Sequence, residues 1–218
     1  MNGTDSRGPQ LLRGALVSID TVVPIPKLVV FQYNPDSVTR ELTVRTPPEG
    51  GTRLAATRLA GAPLEKISMD VEIDAADQLA NSDPTTMALG IYPQLSTLEM
   101  LIYPTSASVI ANAVLLALGT IELLPPTAPL TLLVWGIKRI VPVRLDGLTI
   151  TETMHDTSLN PIRAQAALRL NVLSYEDLSI TNPGYYIFLA HQVMKESMAL
   201  LNTVNNTAAV LGAGISLI

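Results

Sequence analysis

Glu152, His155 and Asp156 fall close together, and two carboxylates beside an imidazole are the raw material of a metal site or an acid–base pair. Their i, i+3, i+4 spacing converges only on a helix, whereas Ile150-Thr151-Glu152 reads as a strand running into a loop. The three residues therefore read as a turn held by local hydrogen bonds. The other histidine, His191, lies in a helical pattern near Lys195 and Glu196 and reads as an interface residue. Asp70, Glu72, Asp74 and Asp77 resemble a calcium loop only by count. Alternation puts the first three on one face of a strand, as a solvated or lumen-lining wall. Arg53 and Arg58 suit either a neighbour's carboxylates or simple solubility. There is no cysteine, so no thiolate nucleophile or zinc–thiolate site exists. No GxSxG elbow, phosphate loop or GxGxxG appears, and Gly212-Ala213-Gly214 sits in the tail with no helix after it. The expectation is no catalytic residue, no metal and no cofactor.

Composition points to assembly. Of 218 residues, 48% are hydrophobic but only 15% are charged, against about 25% in soluble domains. A surface so poor in charge is expected to face other subunits. The net charge of −5 argues against nucleic acid, which calls for a basic face. Residues 1–11 lack the apolar core of a signal peptide and read as a flexible arm. The apolar stretch Ser106–Leu124 is broken by Asn112, Gly119 and Glu122 and closed by Pro125-Pro126. It reads as part of an insertion over 104–128 rather than a membrane span.

The elements that must position these residues are mostly strands. Two Asn-Pro turns punctuate them: Phe31-Gln32-Tyr33-Asn34-Pro35 and Leu159-Asn160-Pro161-Ile162-Arg163. Proline fixes its own φ and keeps the preceding residue out of the helical region, so each block is strand, stop, strand. Strands are expected over Leu12–Val23, Lys27–Tyr33, Ser37–Arg45, Leu64–Asp74, Leu130–Val134, Arg139–Leu145, Leu148–Thr153 and Arg163–Leu173. Arg40 shares the face of Val38 and Leu42, which is therefore not purely apolar. Asp146-Gly147 reads as a bulge in one bent strand, with a hairpin turn as the alternative. Gln78–Pro84 reads as loop. One inserted helix is expected over Tyr92–Tyr103, and a second from about Gly184 that frays near Asn202. The fold class is mainly β with helices, a sandwich or barrel over residues 12–180, followed by a C-terminal helix and apolar tail over 181–218.

The order of motifs resembles a family, the tube and LysM-type adaptor proteins of contractile injection systems, which are phage-tail-like particles. The resemblance rests on FQxNP (Phe31–Pro35), DxEID (Asp70–Asp74), GIxPQLxxLExLxYP (Gly90–Pro104) and VWG (Val134–Gly136). It continues through PVRLxxLxITE (Pro142–Glu152), LNPIRA (Leu159–Ala164) and LxVL with Tyr175-Glu176-Asp177-Leu178. It covers about residues 12–200. What it implies is a tail-tube-type β fold, a non-enzymatic baseplate role between spike and inner tube, and ring assembly, six-fold by resemblance. Implied partners are copies of the chain, spike, inner tube and other baseplate proteins, with no nucleic acid or membrane. The particle is assembled in the cytoplasm or released from it. Other readings are a tube subunit, a terminator or a carbohydrate-binding β module. A LysM module needs a β-α-α-β pattern for which the C-terminal helix and tail leave no room. Expected assembly contacts are Phe31, Tyr33, Asn34, Pro35, Arg53, Arg58, Asp70, Glu72, Asp74, Trp135, Asn160, Pro161, Arg163, Tyr185 and Tyr186.

Overall fold

The computed structural model describes residues 12–19, 27–46, 59–119 and 129–211, with backbone alone from 204. Arg53 and Arg58, the 1–11 arm, residues 47–58, part of the 104–128 insertion and the end of the apolar tail lie outside the described residues.

The protein is mainly β with helices. Strands β1 (Ala15–Ile19), β2 (Lys27–Val30), β3 (Val38–Thr43), β4 (Leu64–Asp74), β5 (Leu130–Val134), β6 (Ile140–His155) and β7 (Pro161–Val172) form one antiparallel sheet. Its order is β2-β1-β5-β6-β7-β4-β3. The β4–β7 ladder shows why it forms. Ile67, Met69, Val71 and Ile73 face Leu170, Leu168, Ala166 and Ala164 on the inner side, while Lys66, Ser68 and Glu72 face Asn171, Arg169 and Gln165 on the outer. A slip of one residue would turn every apolar side chain outward, so burial fixes the register.

Residues 139–145 and 148–153 belong to one long strand. A register shift between Leu145 and Gly147 inserts one extra residue into β6. Before this bulge the inward residues are Val141, Val143 and Leu145; after it they are Leu148 and Ile150. The bulge therefore changes the parity of the strand while keeping its apolar side chains on the core.

The sheet is rolled. β2 and β4 stand five places apart, about 24 Å in a flat sheet. Yet Gln32, two residues past β2, accepts a hydrogen bond from the Asp74 backbone N–H at the end of β4 (3.0 Å). Two residues of chain and one side chain reach only about 12 Å. The two halves of the sheet must curl toward each other, and they do so without a complete ladder. β3 pairs with β4 only over Leu64–Met69. The barrel is thus an open roll with its core inside.

The helical content differs from the expectation of one inserted helix. Among the described residues, four separate β4 from β5: α1 (Ala76–Ala80), α2 (Pro84–Leu89), α3 (Tyr92–Glu99) and α4 (Ser106–Ala117). The supposed loop 78–84 overlaps the first two. Asp83 starts α2 by accepting from the Thr86 N–H (2.8 Å), with Pro84 in the first turn. Helix α3 puts Leu95 and Leu98 into the core, whereas α4 buries none of its side chains. Helix α5 (Pro183–Leu211) runs through Asn202-Thr203-Val204-Asn205-Asn206, where fraying was expected. Asparagine costs only some tenths of a kcal/mol in an established helix, which is too little to stop propagation. Among the described residues no helix is long and apolar enough to cross a membrane.

Candidate interface at the first Asn-Pro turn

Where β3 stops pairing, β4 continues from Asp70 to Asp74 with no strand beside it on that edge among the described residues. The first Asn-Pro turn fills part of the gap and leaves a cleft of about 430 Å³. Its walls are Tyr33–Ser37 from the turn, Asp70 and Glu72 from β4, Thr153 from β6 and Arg163–Gln165 from β7. Six of the expected contact residues meet here: Tyr33, Asn34, Pro35, Asp70, Glu72 and Arg163. Residues that are 130 positions apart in sequence converge because the β4–β7 ladder sets Glu72 opposite Gln165 and Asp74 opposite Arg163.

Side-chain chemistry holds the turn in place. The Asn34 amide acts as a substitute peptide group. Its Oδ1 accepts from Gly14 N–H (2.9 Å) and its Nδ2 donates to Leu12 C=O (2.9 Å). One residue type thus continues the β1–β2 ladder past Phe31, whose own N–H donates to Gly14 C=O (2.8 Å). Phe31 is buried and tilts against Trp135, with ring centroids 6.3 Å apart. Gly14 is required beneath them, since a Cβ there would lie 2.6 Å from the Trp135 ring. Phe31 and Trp135 therefore pack within the molecule; of the FQYNP block, the surface is offered by Tyr33, Asn34 and Pro35.

Asp74 is corrected from the outer acidic face to the interior. At the strand end its side chain turns in, and only 5% of the residue is exposed. One oxygen accepts from the Ala76 N–H (2.7 Å). The other accepts from Arg163 Nε (2.6 Å), with the guanidinium Nη2 also in contact. Burial pushes the Asp74 carboxyl up, but the Ala76 N–H and then Arg163 outweigh it and hold it below the ordinary value. Arg163 is in turn raised by its hydrogen bond and charge pairing with Asp74. Since Arg163 also lies 3.5 Å from Glu72, its charge is shared. Asp36, Asp70 and Glu72 leave the cleft acidic, suited to a cationic or hydrogen-bond-donating partner.

The second Asn-Pro turn lies elsewhere and is tied down by its own side chains. Asp156 Oδ1 accepts from the Ser158 and Asn160 N–H groups (2.7 and 2.8 Å), and Asn160 Nδ2 donates to Asp156 Oδ2 (2.9 Å). Asn160 Nδ2 also donates to Ala88 C=O (3.2 Å), and the Ile91 N–H donates to Pro161 C=O (2.9 Å). The turn is thereby fastened to the α2–α3 junction, and Pro161 is buried. His155 Nε2 and Glu152 Oε2 lie 3.1 Å apart on exposed β6, while Asp156 is spent on the turn. Among the described residues no group of three or more His, Cys, Asp or Glu side chains converges as metal ligands.

Tyr185 and Tyr186 start α5. Tyr185 lies edge-on to Tyr175 (6.3 Å) and to Tyr186 (5.3 Å), and Tyr186 is exposed. Sequence reasoning passed over Glu65. It occupies an inward position of β4, where Arg40 Nε donates to it (2.7 Å) and Lys195 of α5 reaches it at 3.3 Å. The signal was present in Arg40, a charge on an otherwise apolar face of β3 that needed an inward partner. No known family model and no curated protein matches this chain.

Proposed function

We propose that the chain is a non-enzymatic structural component of a contractile injection system, a baseplate hub that joins the spike to the inner tube and starts the tube as a ring. The observation that carries this reading is the open roll. Among the described residues, β2 and β3 each pair on one side only, and both edges expose apolar side chains, Leu28 and Val30 on one and Leu42 on the other. An unpaired edge is a template for a further strand, and a closed ring of copies removes it. The acidic cleft beside β3 adds a polar recognition surface to the same side of the sheet, and the low content of charge agrees with large contact areas.

The test is assembly. The chain, alone or co-expressed with spike and inner-tube proteins of such a particle, is expected to form rings visible by electron microscopy and to co-purify with them. Leu28→Lys with Leu42→Lys places charge on both edges and is expected to leave a folded monomer. A wild-type chain that stays monomeric and unbound in the presence of both proteins would sink the reading.

A further inference from the structure

Helix α5 is held on the barrel by a single stripe. Gly184, Phe188 and His191 are its buried residues among those described, spaced by four and three, with Lys195 one turn further. Phe188 meets Tyr175 edge-on at 5.7 Å. Past Lys195 the described side chains are exposed, among them Met198, Leu200 and Leu201. His191 and Lys195 therefore form the outer boundary of the docked part.

His191 is unusual among the groups at this boundary. The residue is 7% exposed, and its Nδ1 is buried with no hydrogen-bond partner. The charged groups that act on it come from α5 itself, β4, β3 and the residue just before β6. Lys195 is one turn along α5, Glu65 comes from β4, Arg40 from β3, and Arg139 from the link between β5 and β6. Glu65 is the one carboxylate of this set. It is already shared, with Arg40 Nη2 at 2.6 Å and Lys195 Nζ at 3.3 Å. Arg139 makes no ion pair among the described residues. Three cations thus surround one carboxylate before the imidazole carries any charge.

We propose that the docking of α5 is coupled to protons through His191, so that mild acid loosens the helix from the barrel while the sheet stays folded. A protonated His191 would be a fourth cation in a poorly hydrated place whose only anion is already committed. The free helix has no such restriction, because there the imidazole is solvated. Burial, and then Lys195, hold the docked imidazole below its ordinary value, with Arg40 and Arg139 acting in the same direction and Glu65 opposing them. The sign follows directly. The undocked state binds more protons below about pH 6.5, so docking is strongest above that value and weakens as pH falls. Glu65 works in a lower range. Burial pushes its carboxyl up, but Lys195 and Arg40 outweigh this and hold it below its ordinary value, so it keeps its charge while His191 gains one. Release frees the apolar side chains Phe188 and Tyr185 together with the exposed stripe of Leu189 and Val193, and so presents a longer apolar helix to a neighbour.

Amide hydrogen exchange of the full chain at pH 7.5 and 5.5, corrected for intrinsic rates, tests the coupling. Protection over 184–195 is expected to fall by up to about ten-fold at pH 5.5, the limit for one group titrating a unit above the measured pH, with β7 unchanged. His191→Gln is expected to abolish the difference. Equal α5 protection in the wild type at the two values overturns the proposal, as does a fall of the same size in His191→Gln. If His191→Gln does not dock at either pH, the ring titration of wild-type His191 by NMR decides. A midpoint below 6.5 upholds the coupling, and one at or above 6.5 overturns it.

Discussion

The two Asn-Pro turns share a dipeptide and a neighbouring aspartate, yet they are built for different ends. At Asn34 the side-chain amide reaches across to Gly14 and Leu12 and extends a ladder at the sheet's edge. The flanking strands β2 and β3 lie at opposite edges, so the turn spans an opening and borders a cleft. At Asn160 the flanking strands β6 and β7 are paired neighbours, and the amide bonds inward to Asp156 and Ala88. Topology decides the outcome: a turn between adjacent strands fills its space, whereas a turn between the two edges of a roll leaves a gap that a partner can enter. One turn is fastened to the body of the molecule, and the other borders an open cleft where recognition is proposed.

The sharpest way to break the stabilising turn is Gly90→Ala. Gly90 has φ 57°, and a Cβ there would lie 2.2 Å from the Pro161 carbonyl oxygen, a backbone atom that cannot swing aside. Left-handed backbone and the clash together are expected to cost at least about 3 kcal/mol. For a chain of this size that lowers the melting temperature by about 6–12 °C. A calorimetric scan showing a shift under 2 °C, which corresponds to at most about 1 kcal/mol, would mean that the second turn is not fastened to α2–α3 as described.

Asp74→Asn follows, since it weakens both the bond to the Ala76 N–H and the pairing with Arg163 at a buried position. The expected loss is about 2 kcal/mol at neutral pH. Its acid behaviour sharpens the comparison, because Asp74 and Asp156 are both held below the ordinary aspartate value. Against the upward push of burial, the Ala76 N–H and then Arg163 act on Asp74; Asn160, through its side chain and backbone, acts on Asp156. A carboxyl lowered on folding contributes stability above its unfolded value of about 3.9 and loses it as pH falls through the folded value. Urea midpoints between pH 5 and 2 are expected to fall steeply in the wild type and less steeply in Asp74→Asn. Parallel curves would remove Asp74 from the acid response.

Alanine at the two asparagines compares the turns directly. Asn160→Ala deletes bonds to Asp156 and Ala88 and is expected to cost about 1.5 kcal/mol. Asn34→Ala deletes two bonds at an exposed edge, with an expected cost of about 1 kcal/mol and local loss of β1 protection in hydrogen exchange. Equal cost and equal spread of exposure in the two variants would erase the distinction.

Legibility in the sequence followed the range of the interaction. The boundaries of β4 and β5 match the expectation, and the bulge at Asp146-Gly147 was readable, because period-2 burial is local. Helices α1 and α2 were not read. They are short; α2 starts on the Asp83 cap and is parted from α3 by Gly90, which meets Pro161 far along the chain. Within the candidate site, Asp70 and Glu72 were placed by alternation. Asp74 was misplaced because the strand ends there and Gln32 from the far edge meets it, a contact between residues 42 positions apart. Glu65 escaped notice because its counterions arrive from β3 and α5, and alternation alone gives no hint of either.

Tyr33 carries the smallest expected effect on stability and the most specific one on recognition. About half exposed, it lines the cleft, and among the described residues no hydrogen bond or ring contact ties it to the body. Tyr33→Ala removes little that folding had gained, so its unfolding midpoint is expected to stay within about 0.5 kcal/mol of wild type. An aromatic at the mouth of a polar cleft is nevertheless the kind of anchor that interfaces use, worth about 2 kcal/mol when buried by a partner. Binding to neighbouring copies or to baseplate partners is then expected to weaken by about thirty-fold, read by titration of labelled chain. Gly90→Ala should show the opposite profile at a temperature where it is still folded: lower stability, with little change in affinity. If Tyr33→Ala binds as well as the wild type, the gap at the first turn is only a consequence of how the sheet rolls, and recognition lies along the β2 and β3 edges alone.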